Sequence, residues 1–340
     1  MIFRKRIPIL FWSAFFVFAS SCRTDDPVPY RLQTPSWFPQ MEIPAENQLT
    51  NARIELGRKL FYEPLLSLDS SISCGTCHLQ EKAFTDGLPI SLGVDEAIGL
   101  RNAPTLANIG FAPYFFHDGG VLTLELQSQQ PIFSVVEMRF SIAGFLQRIE
   151  NDAAYKRMFS EAYNRAPDAF GISRAIASFE RTLISANSRF DQFEYQGITN
   201  ALSEQEIRGK DLFFSEQMKC SSCHEAPLFT NYEFENVGLY LNYADSGRAR
   251  ISHLAEDNGK FKVPTLRNVA LTGPYMHDGS IQTLEEVVEH FNAGGVGHAN
   301  QSEFIRPLQL TQLDKDDLVA FLNSLTDIQF VSEEDFSNPN

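Results

Sequence analysis

Two short segments of the same form constrain this chain more than any other feature: residues 74–78 read C-G-T-C-H and residues 220–224 read C-S-S-C-H. In each segment, two thiols one helical turn apart can bond to the two vinyl groups of one porphyrin, and the adjacent histidine can ligate its iron. We therefore expect two covalently bound haem c groups. The predicted attachment residues are Cys74, Cys77, His78, Cys220, Cys223 and His224.

Two other sites use a pair of cysteines at this spacing. A structural zinc site needs four Cys or His ligands. A thioredoxin-like redox site needs a strand–helix–strand pattern and has no use for the histidine. Two copies, each followed directly by histidine, favour haem attachment over both alternatives.

The length and net charge of the chain limit the number of domains and the kinds of partner that we expect. The 340 residues are enough for about two domains, and 43% hydrophobic residues can supply a sizeable core. A net charge of −15 argues against nucleic acid or an anionic bilayer as the partner, because both require basic patches. An acidic surface is compatible with docking a basic electron carrier, although it is also typical of an ordinary solvated surface.

The first 22 residues resemble an export segment. Arg4, Lys5 and Arg6 precede an apolar run, 7–19, that is too short for a confident membrane span. Small residues before Cys22 are typical of a lipoprotein cleavage site, which predicts a periplasmic protein anchored by a lipid on Cys22. Ordinary cleavage, with Cys22 lost or idle, is the alternative. Residues 23–44, rich in proline and polar residues, predict a tether.

Matching segments follow the two C-x-x-C-H motifs, which indicates an internal duplication. The spacing from Pro104 to His117 equals that from Pro264 to His277. The matched pairs are Phe84-Thr85 with Phe229-Thr230, Pro104-Thr105-Leu106 with Pro264-Thr265-Leu266, Pro113-Tyr114 with Pro274-Tyr275, and His117-Asp118-Gly119 with His277-Asp278-Gly279. We predict one haem domain over residues 45–195, a second over 196–332 and a tail over 333–340.

Hydrophobic periodicity predicts a mostly α fold with long irregular loops. Ile172, Ile176 and Phe179 have helical spacing within a segment that extends to Phe190. A capping box, residues 203–206, predicts the start of another helix. Further helices are predicted over 45–62, around Leu284 to Phe291, and after Thr311.

The motifs Arg101-Asn102-Ala103-Pro104-Thr105 and Pro274-Tyr275-Met276-His277-Asp278-Gly279, with the two haem motifs, resemble those of the bacterial di-haem cytochrome c peroxidase and MauG family. The resemblance extends from about residue 45 to 326. It implies two cytochrome c-like domains and an exported enzyme that reduces hydrogen peroxide to water. A small c-type cytochrome or another periplasmic donor would supply the electrons. A homodimer is left open.

The family also implies a division of labour between the haems. The haem on His78 would meet peroxide, and the haem on His224 would receive electrons. The catalytic pair corresponds to Gln127 and Glu137 here. Peroxide cleavage needs one proton moved between the two oxygens, which a carboxylate can do while an amide holds the peroxide. Glu137 on a polar surface loop is the alternative, and Gln129 and Gln130 lie close to Gln127.

The family further implies a calcium ion between the two domains. Its protein ligands correspond to the side chain of Asn102 and the backbone carbonyls of Thr272 and Pro274. Oxygen ligands with several waters suit Ca²⁺. The alternative for Asn102 is an ordinary turn residue.

Three positions depart from the family pattern. Many members block the first haem with a second histidine at the position of Val94, so we predict a five-coordinate first haem here. A tryptophan common between the haems is replaced by His117, which could ligate, titrate or hydrogen-bond a haem propionate. The usual sixth ligand of the second haem is replaced by Phe291. Met276 or His290 could replace it, with His298 another candidate and an open iron a further alternative.

These departures keep two other functions under consideration. A MauG-like enzyme that oxidises residues of a partner protein is favoured by Val94 and disfavoured by Phe291 and His117. A non-catalytic electron-transfer cytochrome is the second alternative.

Overall fold

The computed structural model describes residues 28–339, and helices predominate in them. The α-helices are α1 (Asn51–Phe61), α2 (Cys74–Cys77), α3 (Leu124–Gln127), α4 (Gln130–Phe133), α5 (Ile142–Arg148), α6 (Ala153–Tyr163), α7 (Ala169–Glu180), α8 (Arg189–Glu194), α9 (Glu204–Phe213), α10 (Ala249–Ser252), α11 (Leu284–Ala293) and α12 (Gln312–Ser324). Strand β1 (Phe234–Glu235) pairs antiparallel with β2 (Phe261–Lys262). No helix within 28–339 is long and apolar enough to cross a bilayer. The predicted export segment and Cys22 lie outside the described residues.

Polar caps fix where the helices begin. The Ser203 side chain accepts the Glu206 N–H, which confirms the predicted capping box of α9. Thr311 caps α12 in the same way. The helix predicted from residue 45 begins later, because Thr50 caps α1 and only a 3-10 turn, Ala45–Asn47, precedes it.

The helix predicted to continue to Phe190 ends at Glu180. Beyond it the chain turns toward the C-terminal segment, where the carboxylate of Asp327 accepts the N–H groups of Ala186 and Asn187, both at 2.9 Å. These two N–H groups are therefore bound to a distant side chain instead of a helical carbonyl.

The first core forms where α1 crosses α7. Gly57 permits the close contact, since a Cβ there would lie 1.9 Å from the carbonyl oxygen of Ala175. The largest side chains buried in this core are Phe61, Phe84, Phe145, Tyr155, Phe159, Phe179 and Phe330.

The second core repeats this arrangement. Helix α9 crosses α12 at Gly209, where a Cβ would lie 1.9 Å from the carbonyl oxygen of Asp317. Four phenylalanines, Phe190, Phe213, Phe229 and Phe321, are buried around it.

The first half of the molecule carries residues 74–78 and the second half carries residues 220–224. Loops in the two halves make matching contacts. The Thr105 hydroxyl donates to the Ala83 carbonyl and the Thr265 hydroxyl to the Leu228 carbonyl, both at 2.6 Å. Asn108 and Asn268 both have a φ of 60°. A duplication would produce such pairs.

One sequence correspondence differs from the structure by one residue. Phe115 forms an isolated bridge with Val121, as Tyr275 does with Ile281. Tyr275 therefore corresponds to Phe115 rather than to Tyr114, because the bridging position is set by the hairpin.

Packing contacts cross the predicted domain boundaries. Phe190 belongs to the second core although it precedes residue 196. The C-terminal segment returns to the first core, where Phe330 contacts Phe84 with ring centroids 5.5 Å apart and the Tyr62 hydroxyl donates to the Phe336 carbonyl at 2.7 Å. Residues 333–336 are therefore part of the folded body rather than a tail.

The described part of the predicted tether is also folded against the body. Trp37 stacks on Tyr195 with centroids 5.2 Å apart. The next residue, Phe38, meets Phe111 of the first half at 5.6 Å and the guanidinium of Arg267 of the second half at 4.9 Å. Aromatic side chains among the prolines explain this correction, because their burial outweighs the flexibility that the polar composition suggests.

A two-haem cavity as the candidate active site

One cavity of about 1190 Å³ extends through both halves. Both C-x-x-C-H segments open onto it, and its wall includes all six predicted attachment residues: Cys74, Cys77, His78, Cys220, Cys223 and His224. The wall otherwise consists largely of apolar side chains, as expected for a space that encloses flat hydrophobic groups.

Short helices position the cysteine pairs. Cys74–Cys77 is a single α-helical turn preceded by Ser73, whose N–H donates to the Thr76 hydroxyl at 3.0 Å. The second pair lies on a 3-10 turn, Cys220–Ser222. All four thiols are free in the structure.

Desolvation keeps these thiols protonated and unlike metal-binding thiolates. Burial raises the pKa of Cys77 and of Cys220 to about 11. Nowhere in residues 28–339 do three His, Cys, Asp or Glu side chains converge as a metal site would require. The geometry therefore fits thioether attachment better than a zinc site.

Both histidines are oriented for ligation. The Nδ1 of His78 lies 2.7 Å from the Phe84 carbonyl, and the Nδ1 of His224 lies 3.1 Å from the Phe229 carbonyl. A carbonyl can only accept, so each Nδ1 carries the proton and each Nε2 keeps a lone pair for iron. Desolvation lowers the pKa of both, to about 4 for His224.

Glu137 lies on the cavity wall near the first haem motif. Its exposed surface faces the cavity. Desolvation by the surrounding protein raises its pKa, and a hydrogen bond with the Ser134 side chain opposes the shift. The Val94 N–H donates to the Glu137 carbonyl at 2.9 Å. Glu137 is thus an accessible carboxylate that borders the cavity on a loop held by a backbone hydrogen bond.

Of the three nearby glutamines, Gln127 is best placed. It ends α3 and borders the cavity. Gln129 does not border the cavity and donates to the Glu125 carbonyl at 3.2 Å. Gln130 borders it but donates to the Leu126 carbonyl at 3.5 Å. Of the three, Gln127 is therefore the one that borders the cavity, as Glu137 does, with no backbone carbonyl of the described chain engaging its side-chain amide.

The position at which many family members carry a second histidine does not border the cavity here. Val94 is 1% exposed and lies behind the wall. Besides His78 and His224, the histidines on the wall are His117 and His277, and His277 stacks on Phe261 with centroids 3.9 Å apart.

His117 lies where the two halves meet. Its Nε2 is 2.9 Å from the Asn102 carbonyl, so it already has a hydrogen-bond partner in the protein. Desolvation lowers its pKa to about 4, helped by Arg101 and Lys262. A neutral imidazole whose Nε2 is engaged has only Nδ1 left for a haem group.

Among the candidates for the sixth ligand of the second haem, only Met276 borders the cavity, beside Phe291. The structure does not bring His290 or His298 to it. His290 Nε2 donates to the Val237 carbonyl at 2.9 Å, and His298 Nδ1 lies 3.1 Å from the Asn236 amide nitrogen. Helical geometry explains the placement of His290, since adjacent residues on α11 point about 100° apart and Phe291 borders the cavity.

The three predicted calcium ligands border the same cavity. The Asn102 amide nitrogen donates to the Leu88 carbonyl at 2.7 Å, which leaves its oxygen on the opposite side. The Asn102 N–H donates to the His277 carbonyl at 2.8 Å and brings it to the loop that follows Thr272 and Pro274. An oxygen-only donor set of this kind fits Ca²⁺.

Two charged residues on the wall had no signal in the sequence. Glu180 is 4% exposed, and its Oε2 has no hydrogen-bond partner. Burial raises its pKa to about 8. Lys262 lies at the end of β2, and burial lowers its pKa to about 8. Neither follows a motif, so only their tertiary surroundings reveal them.

Comparison with known proteins identifies the family of this chain. A family model for di-haem cytochrome c peroxidase matches residues 51–200. Methylamine utilization protein MauG of Methylophilus methylotrophus is 31% identical over 329 residues, covering 96% of this chain and 96% of that protein. The chain belongs to the di-haem cytochrome c peroxidase and MauG family. It is accordingly an oxidoreductase of the peroxidase type, and the family uses two haems.

Cytochrome c peroxidase Ccp of Escherichia coli K12 is 36% identical over 298 residues, which cover 85% of this chain and 61% of that protein. Among solved structures, a MauG-like protein associated with microbial copper homeostasis is 35% identical with a TM-score of 0.86, covering 91% of this chain and 99% of that chain. The di-haem peroxidase BthA of Burkholderia thailandensis, 24% identical with a TM-score of 0.73, supports the fold alone.

Proposed function

We propose that this protein reduces hydrogen peroxide to water: one H₂O₂, two electrons and two protons give two waters. A small c-type cytochrome or a similar donor supplies the electrons. The observation that carries the proposal is Glu137, a carboxylate of raised pKa that faces the cavity near the first C-x-x-C-H segment.

Haem supplies the redox chemistry when bound, through an iron that can accept and release electrons. The chain supplies the rest. Glu137 takes a proton from one peroxide oxygen and returns it to the other, and Gln127 holds the peroxide in line. The apolar wall excludes bulk water, which keeps the proton on this short path.

Replacing Glu137 with glutamine tests the proposal. Glu137→Gln keeps the size and removes the base, so we expect peroxide turnover to fall about 10²–10⁴-fold, the usual contribution of a general acid–base group. Haem content and optical spectra should be unchanged. Glu150→Gln, at an exposed glutamate, is the matched control. Full turnover by Glu137→Gln would contradict the assignment.

The same variant separates the enzyme from a non-catalytic carrier. A pure electron-transfer cytochrome would exchange electrons with its donor equally well with and without Glu137. It would also consume no peroxide in either form.

A MauG-like activity on a partner protein is the second candidate, and Val94 favours it. Because Val94 cannot ligate iron and does not border the cavity, the first haem is proposed to be five-coordinate and ready without prior reduction. An EPR spectrum of the oxidised protein with one high-spin haem is expected. Peroxide treatment followed by mass spectrometry of co-purifying proteins would show new oxidations if a partner is the substrate.

Calcium is proposed between the two halves, held by the Asn102 side chain and the carbonyls of Thr272 and Pro274. The supporting observation is their position on one cavity wall with the Asn102 oxygen directed away from Leu88. Chelation with EGTA should change the haem EPR spectrum, and added Ca²⁺ should restore it. Metal analysis showing no calcium in active protein would refute this site.

Cellular location and partners remain part of the proposal. An export segment over 1–22 would place the protein in the periplasm, with Cys22 as the lipid-bearing residue. The net charge of −15 favours a basic electron donor, whose reaction rate should fall as salt rises. The homodimer is left to a solution measurement of mass.

A further inference from the structure

Lys262 connects the two halves of the molecule beside the cavity. It belongs to the second half, as the last residue of β2. Its N–H donates to the His117 carbonyl at 2.7 Å, and its Nζ donates to the Tyr114 carbonyl at 3.2 Å. Both partners belong to the first half, so the lysine stem spans the contact between halves and its ammonium reaches the cavity wall.

The described part of the chain supplies no opposite charge to Lys262. Across residues 28–339, no carboxylate lies within ion-pair distance of Lys262. The Tyr114 carbonyl accepts from one of its three donors, and the Tyr232 ring lies 5.7 Å away. An ammonium with one neutral acceptor is costly to bury, and the lowered pKa of Lys262 reflects that cost.

The other cationic residues on the wall differ from Lys262. Arg101 and Arg250 share the buried carboxylate of Asp118, and Lys219 pairs with Glu216. Arg306, also on the wall, is exposed to solvent. Lys262 is therefore the cation for which the cavity itself must supply an anion.

The cavity's expected occupants carry such anions. A haem has two carboxylates on the edge opposite its vinyl groups. A haem bound through thioethers at a C-x-x-C-H segment would have its vinyl edge at the cysteines, so its carboxylate edge would extend away from them. We propose that the Lys262 ammonium forms an ion pair with a haem carboxylate at the junction of the two halves. This inference rests on the haem loading of the proposed function.

The pair has two consequences. A positive charge next to a haem carboxylate disfavours the oxidised, more positive iron, so it raises the reduction potential of that haem. It also ties the position of the haem to the contact between His117 and β2. The chain can thereby adjust the reduction potential of one haem without any change at the iron ligands.

The test compares holoprotein variants by anaerobic spectroelectrochemistry. Lys262→Gln should lower the reduction equilibrium constant of one haem at least tenfold, which lowers its midpoint potential by about 59 mV. The haem that shifts identifies the owner of the carboxylate. Lys262→Arg should restore the potential, and Lys156→Gln, at an exposed lysine, should leave both unchanged.

A second measurement does not depend on Lys262→Gln being stable. Resonance Raman spectra report the bending modes of haem carboxylates. Lys262→Arg keeps the charge but changes the contact, so these modes should move relative to the wild type. Unchanged modes, or unchanged midpoint potentials in a fully loaded Lys262→Gln protein, would overturn the proposal. Absence of haem absorbance in the wild type would instead count against the proposed function itself.

Discussion

Glu137 and Glu180 both lie on the cavity wall, but their different surroundings suit them to different roles. Glu137 has its surface toward the cavity and one opposing hydrogen bond from Ser134, so burial raises its pKa. Glu180 is enclosed on α7, and burial raises its pKa to about 8. Arg181 lowers that pKa while Glu125 raises it. Glu137 is suited to exchanging a proton, whereas Glu180 holds one.

The first residue-scale prediction concerns stability and pH. The folded state keeps the Glu180 proton up to about pH 8, while the unfolded chain loses it near the ordinary value of 4.5. The folded state therefore binds more protons between these values, and stability falls as pH rises through this window. Glu180→Gln cannot ionise, so it should be more stable than the wild type at pH 8 by roughly a few kcal/mol.

Denaturant unfolding of the holoprotein at pH 5 and pH 8 measures this. The gain from Glu180→Gln should be larger at pH 8, and Glu150→Gln serves as the exposed control. An equal difference at both pH values would contradict a buried, protonated Glu180.

The second residue-scale prediction concerns the pH profile of catalysis. The proposed base must be ionised before it can take a proton from peroxide, and desolvation raises the pKa of Glu137. The acid limb of kcat/KM should therefore lie above the ordinary glutamate value. If the pKa of the acid limb lies at or below the ordinary glutamate value, the limb belongs to a better solvated carboxyl group. The limb assigned to Glu137 should disappear in Glu137→Gln.

At the scale of elements, each half depends on one crossing of two helices. Gly57 in α1 contacts the backbone of α7, and Gly209 in α9 contacts the backbone of α12. The neighbouring atoms are backbone carbonyls, which cannot move as a side-chain end can. Each core also contacts a haem motif, since Cys74 packs against the first core and Cys220 against the second.

The element-scale prediction uses these glycines as controls for each other. A Cβ at either position would meet a carbonyl oxygen at 1.9 Å and force the helices apart, costing about 1–3 kcal/mol or more. Gly57→Ala should broaden the spectrum of the first haem, and Gly209→Ala that of the second. Magnetic circular dichroism resolves the two, and equal effects of both variants on one haem would disagree with two separate cores.

At the scale of the whole molecule, a charge cluster joins the halves. Arg101 of the first half binds Asp245 of the second through two hydrogen bonds, at 2.6 and 2.9 Å. Asp118 is fully buried and pairs with both Arg101 and Arg250. These arginines hold the pKa of Asp118 below its usual range, so the cluster stays ionised at neutral pH.

Removing the central carboxylate should therefore loosen the junction. Asp118→Asn leaves two arginines short of a partner and should cost about 3–5 kcal/mol. Asp95→Asn breaks an exposed pair with Arg139 and should cost no more than about 1 kcal/mol. Guanidinium unfolding, followed by the absorbance of both haems, measures the free energy of unfolding of each variant. Similar losses in the two variants would show that the junction does not depend on Asp118.

The sequence alone determined the features set by local spacing. The predicted haem attachment cysteines lie one helical turn apart, and the caps at Ser203 and Thr311 act over three residues. These patterns depend on backbone geometry that is the same in any fold. The mostly α class followed from the same periodicity.

Only the tertiary structure decided features that depend on distant parts of the chain. It folded Trp37 and Phe336 onto the body, separated His290 from the cavity, and enclosed Glu180 and Lys262 in its wall. The cost of burying a charge depends on every group around it, and those groups come from segments far apart in sequence. No local sequence pattern indicates that cost. It depends on the tertiary structure, in which both halves enclose one cavity.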